Sequence, residues 1–221
     1  MLQVNHQHTE HSAAENRKRI LVVEPSKINW IGLQQLLDDA GSTELSFCRV
    51  SKLSDVKNKI YKFNPDVILF SSLSRGTDYL SLLSFLSDIA SYRLKTNVVF
   101  WLPHDMAWMT QLLQAFGVDT VLIDPVNLYQ IIQCLGSSQA DKTPRNAALL
   151  GKQERLIALA LLHGRSATAI ASVTGKDART ISTQKKSIIR KLQMTTNEEL
   201  YLLAGKLVYL NNINRQNGDT R

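Results

Sequence analysis

Residues 65–72 read PDVILFSS, and this stretch decides the fold of the first two-thirds of the chain. Val67, Ile68, Leu69 and Phe70 form an unbroken apolar run behind Pro65 and ahead of two serines. A half-exposed strand alternates apolar with polar residues. A continuous run of this length marks a strand covered on both faces, as in a parallel sheet. Working outward, RILVVE (Arg19–Glu24) and NVVFWLP (Asn97–Pro103) have the same character, LSFCRV (Leu45–Val50) is rich in strand formers, and Thr120–Ile123 is a short strand. The segments between them have helical spacing. Lys27–Ala40 places Ile28, Ile31, Leu33, Leu36 and Leu37 along one helix, with Ser26 as its cap and Gly41 as its stop. Leu53–Phe63 (capped by Ser51 or Ser54), Leu80–Ile89, Met106–Phe116 and Val126–Leu135 complete the set. Strands alternating with helices predict an α/β domain over residues 19–136, built on a five-stranded, doubly wound parallel sheet.

Residues 137–147 (SSQADKTPRNA) are polar and hold the best linker composition in the chain. No strand pattern follows. Lys152–His163 is helical and stopped by Gly164, Ser166 caps Ala167–Thr174, Gly175 breaks the chain, and Ala178–Leu192 is helical and basic. Thr195 and Thr196 each have a glutamate three residues on, Glu198 and Glu199, a capping-box pattern for Asn197–Leu210. Short helices with a glycine turn between the second and third predict an all-α helix-turn-helix domain over 148–211. Residues 1–18 and 212–221 read as flexible tails.

Charge is unevenly spread. Of 221 residues, 44% are apolar and 20% charged, ordinary globular usage that excludes a disordered or fibrous chain. Residues 1–141 carry 12 basic and 14 acidic side chains, and residues 142–221 carry 14 basic and 5 acidic. A strongly basic final third points to an anionic partner, with nucleic acid ahead of membrane lipid. The longest apolar run, Leu156–Leu162, is seven residues, far short of the roughly 20 needed to span a bilayer. The polar N-terminus has no apolar core, so neither a secretory leader nor membrane attachment is expected, and the location expected is cytoplasmic. Cys48 and Cys134 lie in apolar contexts with no C-x-x-C spacing, as reduced core cysteines do, and a bridge between this distant pair is the alternative. His6, His8 and His11 sit in the polar tail without the fixed geometry a metal needs. No metal, cofactor or catalytic residue is expected.

The helix TISTQKKSIIRKL (Thr180–Leu192) carries the binding chemistry. Ile181, Ile188 and Leu192 recur at helical spacing and bury one face, while Ser182, Thr183, Lys185, Lys186 and Arg190 lie around the rest. Ser, Thr and Lys reach base edges, and Lys and Arg reach phosphates. Residues 150–194 resemble the LuxR/NarL-type helix-turn-helix domain. The resemblance rests on Glu154-Arg155, Gly164, Ser166, Ile170-Ala171, Thr180-Ile181 and Ile188-x-Arg190-Lys191-Leu192, in register without a gap. Ser182, Gln184 and Lys152 stand where that family often has lysine, histidine and proline. By position, the resemblance implies Ser182, Thr183 and Lys186 as groove-facing residues, Arg179, Lys185 and Arg190 as backbone contacts, and Thr180 opening the reading helix. It also implies binding to double-stranded DNA as a dimer.

Residues 19–136 resemble a response-regulator receiver. The matching residues are ILVVE with Gly32-Leu33, Pro65-Asp66 with Gly76, Asp78 and Leu80, and GVDTVLIDPVNLYQII. Such a receiver needs a phosphoryl-accepting carboxylate after its third strand, and here stands Ser71. It needs an acidic pair after the first strand to hold Mg²⁺, and here Glu24 is followed by Pro25. Leu102 replaces the hydroxyl residue after the fourth strand, and Asp124 replaces the lysine after the fifth. With fewer carboxylates the metal is poorly held, and Asp124 repels the anion. The resemblance therefore implies a phosphorylation-independent transcriptional regulator with no enzymatic activity. It acts as a homodimer or with a partner response regulator, and is similar to auxiliary regulators of the RcsA/BglJ kind. Its association face is expected at Trp108, Met109, Leu112 and Tyr129. A second reading is a sensor of cyclic dinucleotides or another small molecule. It rests on Trp108-Met109-Thr110-Gln111, similar to a Trp-x-Thr-Arg motif but with glutamine where arginine would stack on guanine.

Overall fold

The structure is a computed structural model that describes residues 17–39, 44–71, 78–91, 96–136 and 149–216. The expected linker 137–147, the histidines of the N-terminal tail, Gly41, Gly76 and residues 217–221 lie outside the described residues. Five strands alternate with five helices: β1 (Lys18–Val23), α1 (Lys27–Asp39), β2 (Leu45–Val50), α2 (Leu53–Phe63), β3 (Val67–Phe70), α3 (Tyr79–Ser91), β4 (Asn97–Leu102), α4 (Ala107–Ala115), β5 (Thr120–Ile123) and α5 (Leu128–Gly136). Four more helices follow: α6 (Lys152–Leu162), α7 (Ala167–Thr174), α8 (Ala178–Lys191) and α9 (Asn197–Gln216).

The strands form one parallel sheet in the order β2-β1-β3-β4-β5. The register aligns Val22 with Arg49 and Leu69, and Leu69 with Val99. Central β3 is buried at every position, whereas edge strand β2 is half-buried along most of its length. That gradient is why VILF reads as a continuous apolar run and LSFCRV does not. In a sheet of this order, ligands bind beyond the carboxyl ends of the strands where the winding reverses, between β1 and β3.

The chain divides into two compact units. The first holds residues up to 73, 96–104 and 122–141, and the second holds 74–95, 105–121 and 142–221. In the first, Ile20 and Val22 of β1, Val67 and Leu69 of β3 and Val99 of β4 meet Leu33 and Leu37 of α1 and Ile131 and Leu135 of α5. Helix α2 packs against β1 and β2. It ends on Asn64, whose left-handed backbone lets its N–H reach the Ile60 carbonyl at 2.8 Å. Neither Ser51 nor Ser54 caps this helix: its cap position is Lys52, and the Ser54 hydroxyl donates to Asp55 instead.

The second unit gathers α3 and α4 with the four C-terminal helices, so chain order and compactness divide the molecule at different places. Helix α3 explains this. Leu80, Leu83 and Ser87 are buried on one side, and Leu82, Phe85, Leu86 and Ile89 on the other. A helix apolar nearly all round must be covered on two sides. Helices α6 and α9 pack on α3 within this unit. Gly117 follows α4 with φ of +105°, and an added Cβ there would come within 2.9 Å of Ala90 on α3. Helix α9 runs to Gln216, beyond the Leu210 expected from its periodicity. Among the described residues, no helix is long and apolar enough to cross a membrane.

Candidate nucleic-acid interface

Helices α6, α7 and α8 pack on one another, and their termini are specified locally. Ser166 caps α7 by accepting the Ala169 N–H at 3.1 Å. Gly175 ends that helix with φ of +64°, a left-handed turn that glycine adopts without steric cost. Asp177 then caps α8, accepting the Arg179 N–H at 2.6 Å. At α9 the Thr196 hydroxyl accepts the Glu199 N–H at 3.4 Å, and the Glu199 carboxylate accepts both the backbone N–H and the hydroxyl of Thr195.

Helix α8 buries Ile181, Ile188 and Ile189, with Leu192 just beyond its end. Its opposite side exposes Arg179, Thr180, Ser182, Thr183, Lys186 and Arg190. Steps of three, four and seven residues place 179, 182, 183, 186 and 190 in one stripe. The Ser182 hydroxyl donates to the Ala178 carbonyl at 2.9 Å, and the Thr183 hydroxyl donates to the Arg179 carbonyl at 3.0 Å. Both hydroxyl protons are thus used within the helix. The oxygens remain free to accept, and Thr183 presents a methyl group. Lys185 stands apart from the stripe. It is half-buried on α9, with its Nζ 3.3 Å from the Tyr201 hydroxyl and 5.0 Å from the ring centroid.

Glu154 mounts this helix. One carboxylate oxygen accepts the Ser187 hydroxyl of α8 at 2.8 Å, and the other accepts the Gly151 N–H at 2.7 Å and the Lys191 ammonium at 2.6 Å. Burial alone would raise its pKa. The bonds from Lys191, Gly151 and Ser187, with the charge of Lys191, outweigh burial and hold it below the usual glutamate range. Beside it, Arg155 is only 4% exposed and faces α3 instead.

The expected association residues divide. Met109 and Leu112 are each 1% exposed, so they fill the interior and cannot form an association surface. They sit on the inward side of α4, where an apolar helical stripe goes. Trp108 is half-buried, and the Lys206 ammonium of α9 lies 5.5 Å from its ring centroid. Tyr129 belongs to the other unit and is 72% exposed. Gln111 donates to Gln193 at 3.0 Å. In the Trp108–Gln111 segment, then, the ring is partly covered and the terminal amide is engaged.

A second polar cluster lies at the carboxyl ends of β1 and β3. Glu24 is 2% exposed. Its carboxylate accepts the Ser71 hydroxyl at 2.9 Å and the Ser26 N–H at 2.7 Å. Arg49 reaches over the same loop, donating to the carbonyls of Glu24 at 2.8 Å and Pro25 at 2.7 Å. Asp124 accepts the Trp101 indole N–H at 2.7 Å. These contacts bind the site's polar groups to one another. Among the described residues, no group of three or more His, Cys, Asp or Glu side chains is placed to hold a metal ion. Cys48 and Cys134 are not bridged.

Solved structures resemble this chain in fold. The response regulator RcsB of Salmonella typhimurium superposes with a TM-score of 0.48 at 15% identity, covering 88% of this chain and 99% of that one. A structure of the two-component response regulator RcsB with DNA gives 0.47 at 17% identity, covering 86% and 99%. The chemotaxis protein CheY4 of Vibrio cholerae gives 0.45 at 18% identity, covering 54% and 97%. No protein-family model and no curated protein matches the chain.

Three elements escape sequence reasoning: the Glu154 mount, the α3-facing Arg155, and the outer side of α9, where Tyr201, Leu202, Val208 and Tyr209 are exposed. Spacings of seven between 201 and 208 and between 202 and 209 are readable in the sequence as an apolar stripe. The partners of Arg155 are not readable, because Ser87 precedes it by 68 residues.

Proposed function

We propose that this chain is a sequence-specific DNA-binding regulator of transcription that reads double-stranded DNA with the exposed face of α8. The observation that carries this is the stripe Arg179, Ser182, Thr183, Lys186 and Arg190, open to solvent on a helix whose other side is sealed by isoleucines. A major groove admits an α-helix. Lys186, midway along the stripe, donates to a guanine edge or a phosphate. Arg179 and Arg190 at its ends suit the backbone on either side. The region 148–211 acts as the DNA-reading module, and the region 19–136 as its regulatory and associating part.

The protein acts as a homodimer or with a partner response regulator. The exposed Tyr201, Leu202, Val208 and Tyr209, which recur at a spacing of seven on α9, support this, since exposed apolar side chains on one helix face suit association. Trp108 and Tyr129 remain the aromatic candidates from the α/β region. Control is independent of phosphorylation. Ser71 replaces the acceptor carboxylate, and its hydroxyl is engaged by Glu24. A protein that reads bacterial DNA works in the cytoplasm.

The test is selection of bound sequences from a random duplex pool, followed by titration at about 50 to 200 mM salt. Enriched paired half-sites roughly one helical turn apart, with binding that weakens steeply as salt rises, are expected. Acetyl phosphate treatment leaves the affinity unchanged. Equal affinity for every duplex, with no enriched sequence, overturns the reading.

A further inference from the structure

Helix α3 is pinned at both ends by C-terminal helices. At its N-terminus Asp78 accepts the Ser81 N–H at 3.1 Å and the Ser81 hydroxyl at 2.6 Å. Asn211 of α9, itself buried, completes this cap: its amide donates to Asp78 at 2.6 Å, and its oxygen accepts the Tyr79 N–H at 2.9 Å. At the other end, the Arg155 guanidinium of α6 donates to the Ser87 hydroxyl at 3.2 Å, the Ser91 hydroxyl at 3.1 Å and the Ser87 carbonyl at 3.5 Å. Its remaining bond, at 2.7 Å, goes to the Leu150 carbonyl at the entry to α6. A cation at the last turn of α3 also meets the negative end of that helix's dipole.

The neighbour of Arg155 faces the other way. Glu154 holds Ser187 and Lys191 of α8. Adjacent residues on a helix point about 100° apart, so one turn of α6 grips α3 on one side and the reading helix on the other. A buried charge and a buried amide are costly unless every partner is in place, so these contacts favour one geometry over neighbouring ones.

We propose that Arg155 and Asn211 are positioning residues that set the orientation of α8 through α3, with Glu154-Arg155 as the coupling step. The reading face is held ready by a helix from the α/β part of the chain, where a conventional switch would use a phosphoryl signal. This rests on α8 being the DNA-reading helix. It follows that the C-terminal segment is not an autonomous reading module. Without α3, Arg155 keeps only the Leu150 carbonyl among its named acceptors.

The test uses the full chain at a temperature where circular dichroism shows every variant folded. Arg155→Met should weaken binding to the selected duplex by roughly two- to thirtyfold, the range of coupling through packed networks. It should also speed amide hydrogen exchange in 181–190. Arg155→Lys should restore part of both, and Asn211→Ala should move both less. Lys186→Ala is the control: it should weaken DNA binding and leave exchange in α8 unchanged. A folded Arg155→Met variant with affinity within twofold of the parent and unchanged exchange overturns the proposal. If that variant does not fold, the Ser87→Ala/Ser91→Ala pair decides on the same two readouts. If the parent chain binds no DNA, the DNA reading falls, and the exchange measurement still decides the coupling.

Discussion

The molecule carries two polar constellations, and they are treated in opposite ways. Beside the ends of β1 and β3, the buried Glu24 carboxylate accepts the Ser26 N–H and the Ser71 hydroxyl, and half-buried Arg49 donates to the carbonyls of Glu24 and Pro25. Along α8, Arg179, Lys186 and Arg190 stay exposed. Buried polar groups that find partners within the fold have little left for a ligand, and the cost of removing one is paid in stability. Exposed groups on a rigid helix keep their bonding capacity for a partner. In the first cluster polar groups are used on one another, whereas the second leaves them open over a sealed apolar face, where a partner can reach them. Mutations within these two constellations should therefore separate into those that cost stability, at the first, and those that cost binding, at the second.

The largest effect is expected beneath the open face. Glu154→Ala removes the acceptor for Ser187, Lys191 and Gly151 together, and should cost roughly 2–3 kcal/mol of stability in urea unfolding at neutral pH. The same variant tests pH dependence. The Glu154 pKa is lowered in the folded state, so its stabilisation is fully present above the unfolded value and is lost as pH falls through the folded one. The stability gap between parent and Glu154→Ala should therefore narrow below about pH 4.3, the unperturbed glutamate pKa. A gap that stays constant down to pH 3 contradicts the mount.

The second test is Lys186→Ala. A base contact should cost about 1–3 kcal/mol and relax preference at one position, and a phosphate contact should weaken all sequences alike and lower the salt slope by about one. Stability should move by less than about 0.5 kcal/mol, as for an exposed residue. Unchanged affinity at physiological salt removes α8 from the interface.

Ser71→Ala inverts that pattern. It takes one donor from buried Glu24 and should cost about 1.5 kcal/mol of stability, with DNA affinity unchanged. A folded Ser71→Ala protein that loses DNA affinity would show that the closed site still communicates with the open one. Phosphate found on Ser71 of the parent protein would end the phosphorylation-independent reading.

How much of this was legible in the sequence depends on the range of the contacts. Strands β1, β3 and β4 are covered on both faces, so their apolar runs declare them. The open face of α8 was legible because Ile181 and Ile188 mark its back. Local caps were legible at Ser26 and Ser166 but not at α2, where Ser51 and Ser54 are both plausible by composition and the backbone begins at Lys52. Met109 and Leu112 look like association residues only while their covering is unknown. Arg155 is legible as half of the Glu154-Arg155 pair that carries the helix-turn-helix resemblance, but what it holds is not. Its buried role depends on serines more than 60 positions away, which no periodicity carries.

The smallest expected effect is also the finest probe of the open face. The Thr183 hydroxyl is bonded to its own helix, which leaves the methyl as the group presented outward. Thymine is the base that offers a methyl in the major groove, and apolar contact with it is a recurring mode of readout. Thr183→Ser keeps the hydroxyl and deletes the methyl, and should cost about 0.8 kcal/mol at one thymine position, the value of one buried methylene-sized group. Thr183→Val keeps a methyl and deletes the hydroxyl. It should retain that preference, because the lost hydrogen bond was internal to the helix and exposed. Replacing the thymine by uracil in the bound duplex should erase the difference between parent and Thr183→Ser, since both then lack the methyl–methyl contact. If instead Thr183→Val loses the preference and Thr183→Ser keeps it, the hydroxyl leaves its internal bond on binding, and the face is less preorganised than its free geometry indicates.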